Sequence, residues 1–335
     1  MKRQPRHLSL FGLSLLALGV VTATAAVGAG SYPTNMIRIV LPGAAGTPPD
    51  LVSRIVAGEL VDAEGWRVVV ENKAGAMQTL AATDFLKRPA DGYSIYAPGM
   101  PGMATPALRS DMTYRLDVDF APVIKLSTAY NVLVVHPAIP ARSLSELVTL
   151  LRSQPDTFRF SSGGFGTPAH LAGELFKLRA GVRATHVPYP AAASSRAVID
   201  LLNGTNHYQF ITTSAVLDLI AAGRLRALAV TAPKRLSTLK DVPTVVEEGF
   251  PELVVDAWAG FLVKSGTPDD IVVRLNDATN KVLARPRVHE AFAKLGMEPA
   301  GGTPAEFGEL VRSQLAYWAK VVKDAGIRMH EEPGR

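Results

Sequence analysis

Residues 158–171 read FRFSSGGFGTPAHL, a short apolar strand followed by a glycine-rich turn and the start of a helix. Thr167 is a good N-cap, and Pro168 suits the first helical position, where a missing N–H costs nothing. One apolar helix face follows, formed by Leu171, Leu175 and Leu178. This strand–turn–helix unit indicates that the chain is built from α/β repeats.

The same alternation continues outward in both directions from this unit. Short β-branched runs precede segments of helical period, which is the pattern of parallel sheets covered by helices. The predicted strands are 37–41, 67–71, 94–97, 121–126, 131–136, 159–161, 184–187, 208–211 and 226–230. Helices are predicted between them, and the C-terminal part is predicted to be helical at 268–283, 287–295 and 303–325.

Two long extended segments indicate the domain organisation. Residues 123–135 and 253–263 contain no helical stretch between their halves, as segments that cross between two lobes would. We therefore predict a signal peptide at 1–30, a discontinuous first lobe from 31–130 plus 253–335, and a second lobe at 131–252.

The N-terminus has the composition of a secretory signal. Three positive charges within residues 1–7 precede an apolar run from Leu8 to about Val21, and small residues follow. This predicts a cleavable signal peptide, a mature chain that begins between Ala26 and Ser31, and a periplasmic location. An uncleaved membrane anchor is the alternative. The chain has no cysteine, which excludes disulfides and a lipid-modified N-terminal cysteine.

Charge and motifs exclude several classes of function. The formal net charge is +5, but three of the 35 basic residues lie in the signal, which leaves 32 against 30 acidic residues. Without a basic cluster, no nucleic-acid partner is expected. The chain lacks a G-x-S-x-G elbow, a phosphate-binding loop and an H-E-x-x-H motif. The histidines after residue 30 lack metal-ligand spacing, so we predict no enzyme, no metal and no cofactor.

Two glycine-rich turns are candidate ligand sites, residues 42–50 (PGAAGTPPD) and residues 161–167. Each joins a strand to a helix, where glycines let backbone N–H groups approach a ligand and the helix N-terminus favours an anion. Thr47 and Asp50 have the spacing of a capping box, so Asp50 is interpreted as a cap. Open α/β sheets bind ligands at such turns, which predicts a carboxylate site; a tight turn that holds nothing is the alternative.

These segments together resemble the substrate-binding receptors of tripartite tricarboxylate transporters, also called Bug receptors. The similarity extends from about Tyr32 to Ile327, and it rests on the order and spacing of many short motifs. They include VEN at 70–72, DGY at 91–93, DFAPV at 119–123, HLAGE at 170–174, HVPY at 186–189, GRLRALAVT at 223–231 and DVPT at 241–244.

The resemblance implies an α/β, two-lobed, type II-like periplasmic binding protein that closes like a flytrap over one carboxylate in the cleft between its lobes. It also implies delivery of that carboxylate to the membrane permease subunits of a tripartite transporter, and we expect a monomer. Two strand-to-helix loops would grip the ligand through backbone N–H and hydroxyl groups. The predicted ligand-binding residues are Gly43, Ala44, Ala45, Gly46, Thr47, Met77, Met100, Ser161, Ser162, Gly164, Phe165, Gly166, Thr167, Tyr189 and Thr212.

The chain departs from the family's pattern in the pocket. Gly43 and Gly46-Thr47 stand where the family usually has a bulky aromatic and paired glycines, and Ile211 stands where an acid is expected. An amino-bearing ligand would lose its partner there, while Met77, Met100, Met103 and Phe165 offer polarisable apolar walls. We therefore hypothesise a carboxylate with an apolar or aromatic body. A carboxylate sensor with a signalling partner is an alternative, and a periplasmic enzyme is a less favoured one.

Overall fold

The computed structural model describes residues 32–189 and 194–327, so the predicted signal peptide lies outside the described residues. The strands are β1 (Ile37–Leu41), β2 (Val68–Asn72), β3 (Ser94–Tyr96), β4 (Phe120–Val135), β5 (Arg159–Ser162), β6 (Thr185–Pro188), β7 (Tyr208–Thr212), β8 (Arg226–Val230), β9 (Asp256–Lys264) and β10 (Met297–Gly301). The helices are α1 (Pro48–Glu64), α2 (Thr79–Leu86), α3 (Pro101–Leu108), α4 (Leu144–Ser153), α5 (Pro168–Ala180), α6 (Ser194–Leu202), α7 (Leu217–Ala221), α8 (Asp269–Leu283), α9 (Pro286–Lys294) and α10 (Pro304–Asp324). Among these helices, none combines the length and the apolar composition that crossing a bilayer requires.

Two groups of parallel strands have the same local order. In the first, β1 lies between β2 and β3 and is parallel to both. In the second, β5 lies between β6 and β7 and is again parallel to both. The chain therefore leaves β1 and β5 at the point where the strand order reverses, which is where open α/β sheets form a binding crevice. The helices that follow, α1 and α5, begin at these two points.

The long strand β4 belongs to two sheets and joins the two groups. Its first part pairs antiparallel with β9 and β10, and β9 continues to β3. From Asn131 onward β4 pairs antiparallel with β7 and β8 instead. The two segments predicted to be extended form β4 and, except for Leu253 in a short 3-10 turn, the stretch that leads into β9. Their crossing between lobes and the lobe boundaries stay predictions.

A buried threonine links the segments that meet at this crossover. The Thr231 hydroxyl accepts a hydrogen bond from the Asn131 N–H at 3.0 Å and donates one to the carbonyl of Val255 at 2.9 Å. Thr231 itself is fully buried. One side chain thus holds the end of β8 to β4 and to the chain that enters β9.

Replacing Thr231 with valine, which has the same shape, is expected to lower the free energy of unfolding by about 2 kcal/mol, because it leaves a buried N–H and a buried carbonyl unpaired. Urea denaturation of the purified protein measures this loss. Thr231→Ser is the matched control, since it keeps the hydroxyl and removes only a methyl group. A loss in Thr231→Ser together with no loss in Thr231→Val would show that the methyl group, and not the hydrogen bonds, makes the contribution.

Two elements differ from the sequence-based expectations. Strand β10, with the sequence MEPAG, was not predicted because it contains proline and glycine and no β-branched residue; its pairing with β4 is a tertiary effect. The Gly- and Pro-rich residues 97–103 have the composition of a turn, but helix α3 begins at Pro101, a residue that suits the first helical turn. The sheets are also mixed and not purely parallel, since β4, β8, β9 and β10 pair antiparallel.

Candidate ligand-binding cleft

A cleft with a volume of about 600 Å³ opens between the two sheets. Its lining includes the β1–α1 loop, the β5–α5 loop, the first residues of α1, α5 and α6, and parts of β4, β7 and β9. The volume lies within the range of pockets that enclose small molecules. The two loops that sequence analysis singled out therefore face one common space.

The described residues that line this cleft include no Asp, Glu, Lys, Arg or His. Residues 190–193, which lie outside the described range beside α6, are Pro-Ala-Ala-Ala and carry no charge either. Any ionic ligand must therefore be held by neutral donors and by the ends of helices. The cleft has no guanidinium or ammonium partner for a carboxylate among these residues.

The loop before α1 is held by Asp50, a buried carboxylate. Its Oδ2 accepts a hydrogen bond from the Gly46 N–H at 2.9 Å, and its Oδ1 accepts one from Arg54 Nε at 3.0 Å and one from Asn72 Nδ2 at 2.9 Å. Burial raises the pKa of Asp50, but the hydrogen bonds from Arg54, Gly46 and Asn72 outweigh it and the pKa lies below its usual value. Asp50 therefore holds the loop before α1 in place, with its charge compensated by Arg54, although it does not cap the helix as predicted.

The predicted capping box at this loop is wrong, and Asp50 accepts from the N–H of Gly46 and not from that of the N-cap Thr47. The Thr47 hydroxyl does not accept a backbone hydrogen bond in helix α1; it donates to the carbonyl of Ala44 at 2.7 Å. Pro49 removes the N–H of the second helical position, and Thr47 does not bond to the N–H of Asp50 at the third. The Thr47 hydroxyl therefore forms a hydrogen bond within the loop. The loop's remaining donors toward the cleft are backbone N–H groups.

The loop before α5 is also closed by its own side chains. The Thr167 hydroxyl accepts from the His170 N–H at 3.4 Å and donates to the carbonyl of Gly164 at 2.7 Å, so the predicted N-cap is confirmed. His170 Nδ1 accepts from the Gly166 N–H at 3.1 Å, and the Ser162 hydroxyl accepts from the Gly164 N–H at 3.1 Å. Two of the loop's glycine amides are therefore already used inside the protein.

Other backbone donors of the two loops remain available to a ligand. Gly43, Gly163 and Ala169 line the cleft, and none of their N–H groups has a hydrogen bond to another described residue. Ala169 lies in the first turn of α5, where unpaired N–H groups and the helix dipole favour an anion. The two loops together can therefore hold a carboxylate without a positive side chain.

Of the fifteen residues predicted to bind ligand, Gly43, Gly46, Thr47, Thr167 and Thr212 line the cleft. The others do not appear among its lining residues. Met100 is fully buried in the core, and Phe165 packs edge-on against His170 and His186. The Tyr189 hydroxyl donates to Asp200 at 2.7 Å and accepts from Asn206 at 2.9 Å. Ala44, Ala45, Met77, Ser161, Ser162, Gly164 and Gly166 belong to the surrounding loops or strand ends.

Sequence analysis missed the side chains that line the cleft between the loops. They come from Gln78, Ser127, Asn131, Ser195, Gln209, Trp258, Leu295 and Met297. Most lie on separate strands or helices far apart in the chain, so no local motif marks them. The one available signal was polar residues within otherwise apolar strands, such as Gln209 in YQFIT and Ser127 and Asn131 in the β4 sequence.

A cluster of His170, Glu174 and His186 lies behind the α5 loop. One ligand-type atom from each residue lies within 4.8 Å of the others, although sequence analysis treated the histidines as lacking metal-ligand spacing. Both oxygens of Glu174 accept from Lys177 Nζ, at 2.8 and 3.0 Å, so an ammonium already compensates this carboxylate. The two imidazoles stack 4.3 Å apart, and the Ser162 hydroxyl lies 2.7 Å from His186 Nε2. The cluster anchors the loop to its strand.

The two histidines make stability dependent on pH. Burial lowers the pKa of His170 to about 4 and that of His186 to about 3, with the positive charge of Lys177 acting in the same direction. The unfolded chain, with a histidine pKa of about 6.5, therefore binds more protons, and we expect a loss of about 2 kcal/mol of unfolding free energy between pH 6.5 and 5.5.

Urea denaturation across that pH interval measures the loss. His186→Gln is expected to remove about half of it, since glutamine keeps a hydrogen-bonding group beside Ser162 but does not titrate. His289→Gln, at an exposed position of α9, is the matched control and keeps the full pH dependence. An unchanged slope in the His186 variant would contradict the assignment.

Comparison with known proteins adds four findings. A family model described as tripartite tricarboxylate transporter family receptor matches residues 52–327. BugT of Bordetella pertussis is 33% identical over 329 residues, which covers 97% of this chain and 98% of BugT. The structure of an R. palustris protein with adipate is 32% identical with a TM-score of 0.78, covering 89% of this chain and 99% of that one. MatC from Rhodopseudomonas palustris with bound malate is 29% identical with a TM-score of 0.75, covering 87% of this chain and 100% of MatC.

Proposed function

The chain belongs to the family of tripartite tricarboxylate transporter receptors, which are substrate-binding proteins and not enzymes, and on this premise we propose that it is a periplasmic receptor that captures a small carboxylate with an apolar or aromatic body. The closed, loaded receptor delivers this ligand to the permease subunits of a tripartite transporter. The observation that carries the proposal is the convergence of two strand-to-helix loops, with unpaired N–H groups, on one uncharged cleft.

The carboxylate lies between the β1–α1 and β5–α5 loops in this proposal. Gly43, Gly163 and Ala169 supply backbone donors, while the N-termini of α1 and α5 supply partial positive charge. Charge-assisted hydrogen bonds contribute roughly 1.5 to 3 kcal/mol each, so a few of them support micromolar binding, which corresponds to about 8 kcal/mol. The related structures with adipate and with malate support a carboxylate as the ligand class.

Closure follows from the strands that join the two sheets. The loops lie on different sheets, so a ligand that bonds to both draws them together by bending the chain near Asn131 and Val255. We propose that the lobe boundaries fall at these two points, in residues 131–252 for the second lobe and in the remainder of the mature chain for the first. The receptor acts as a monomer and requires no cofactor.

A thermal-shift screen of the mature protein tests the function. The panel contains mono-, di-, tri- and aromatic carboxylates, with amino acids as controls at the same concentration. A ligand at 100 times its dissociation constant adds about 2.7 kcal/mol of apparent stability, which gives a clear shift. We expect shifts from apolar or aromatic carboxylates. Tightest binding of citrate would overturn the apolar body, and stabilisation by amino acids alone would overturn the carboxylate class.

A further inference from the structure

Two buried polar groups in the cleft lining have no partner among the described residues. Gln209 on β7 is 4% exposed and Trp258 on β9 is 2% exposed, yet neither Gln209 Oε1 nor Trp258 Nε1 makes a hydrogen bond. Buried polar groups are normally paired, because an unpaired one loses its bonds to water without compensation. Both atoms have almost no accessible surface in this structure, so a molecule in the cleft can bond to them only once the side chains turn toward it.

A third unpaired group comes from a strained segment. Ala76, Met77 and Gln78 have consecutive positive φ angles of 46°, 50° and 77°, a conformation that non-glycine residues rarely adopt. Arg109 donates to the carbonyl of Ala76 at 3.0 Å and Thr105 to that of Met77 at 3.3 Å, so α3 holds the strain in place. The result is that Gln78 lines the cleft with its buried Oε1 unpaired. Strain of this kind is typically kept where it positions a functional group.

These three groups call for a ligand that both donates and accepts hydrogen bonds. An indole N–H only donates, whereas the amide oxygens of Gln78 and Gln209 only accept. A carboxylate offers acceptors alone. The glutamine amides could turn their NH₂ groups toward a second carboxylate of the ligand. The charge of that carboxylate would still be buried in a cleft without a positive side chain. The N-termini of α1 and α5 compensate one negative charge at the loops, and no positively charged side chain of β4, β7 or β9 lines the cleft among the described residues.

From these three unpaired groups and the uncharged lining, we infer that the ligand is a monoanion with a second, uncharged polar group. That group is a carboxamide or a hydroxyl bound by Gln78, Gln209 and Trp258. This inference rests on the proposed function, since the single carboxylate is the group held by the two loops. It adds that a second carboxylate is rejected, which makes the receptor selective against dicarboxylates.

Matched ligands of equal length test the inference. Hexanoate, adipate and the monoamide of adipic acid share a six-carbon chain and differ only at one end, and benzoate, terephthalate and 4-carbamoylbenzoate repeat the comparison on a ring. At pH 7.5, calorimetric titration is expected to give the order monoamide, then simple monocarboxylate, then dicarboxylate, with at least about tenfold between first and last, because only the last buries an uncompensated charge. Equal or tighter binding of the dicarboxylates overturns the inference and leaves the carboxylate receptor intact.

The pH dependence of adipate binding gives an independent readout. If the receptor binds only monoprotonated adipate, the apparent affinity for adipate rises about tenfold as the pH falls from 7.5 to 6.5. The reason is that a free carboxyl has a pKa of about 4.3, so the protonated fraction rises about tenfold over this interval. The affinity for the monoamide stays constant. A constant adipate affinity overturns the inference. If neither ligand series and no member of the carboxylate panel binds, the proposed function is overturned as well. If a panel carboxylate outside the two series binds, its affinity is compared with that of its own monoamide, and the same criterion applies.

Variants at Gln209 separate recognition from structure. Gln209→Leu is expected to abolish the preference for the monoamide over hexanoate, since the amide loses its partner. A purely structural role for Gln209 would weaken both ligands by the same factor and leave that preference unchanged. Gln78→Leu is expected to act in the same direction, and the wild-type preference in both variants would overturn the assignment of these residues.

Discussion

Replacing Thr167 with aspartate is expected to weaken carboxylate binding about a hundredfold, because two negative charges about 6 Å apart repel by about 3 kcal/mol at an effective dielectric constant of 20. Thr167 lines the cleft as the N-cap of α5, next to the donors that we assign to the ligand. Aspartate is as good an N-cap as threonine and interacts favourably with the helix dipole. The free energy of unfolding is therefore expected to stay the same or rise.

Thr167→Asn is the matched control for this prediction. Asparagine has the shape of aspartate, caps a helix equally well and carries no charge. Both variants lose the hydroxyl that donates to Gly164, so that loss cancels in the comparison. Calorimetric titration with the best ligand of the carboxylate panel measures binding, and urea denaturation of the same samples measures stability. If the two variants bind within threefold of each other, the carboxylate does not lie at the N-terminus of α5.

The sequence predicted the two loops because each is a local motif. A strand, a glycine-rich turn, an N-cap threonine and a proline lie within fourteen residues at 158–171, and their physics needs no distant partner. The same locality explains why the strand and helix bounds agree with the structure to within about two residues over most of the chain.

The lining between the loops could not be predicted in this way. Gln209 and Trp258 come from β7 and β9, and only the pairing of β4 with both strands brings them to one cleft. Strand β10 was missed for the same reason, since β4 induces a strand in residues that have no preference for it. Met100 offers the converse case: its polarisable side chain is suited to a pocket wall, but the residue lies just before helix α3 and its side chain is fully buried in the core. Tertiary placement decides such positions.

The packing of α5 on β5 makes Gly173 a position where a single added methyl group has a large expected cost to the fold. A Cβ at this residue would overlap the ring of Phe160, with Cδ2 at 2.6 Å and Cζ at 2.9 Å. Phe160 is fully buried and stacks on His186 and Tyr208, so its ring has no space to move. Gly173→Ala is therefore expected to lower the free energy of unfolding by about 3 kcal/mol.

Gly58→Ala provides the matched control, because Gly58 lies inside α1 with nothing within 4 Å of an added Cβ. There the same substitution is expected to raise the free energy of unfolding by about 0.5 to 1 kcal/mol, since alanine favours the helix. A smaller ring partner should relieve the overlap, so the double variant with Phe160→Leu is expected to be more stable than the sum of the two single losses. Urea denaturation of the four proteins measures this coupling. If the losses in the two single variants add strictly in the double variant, Gly173 is required for some reason other than its contact with Phe160. Contacts elsewhere on the helix would then position the α5 loop.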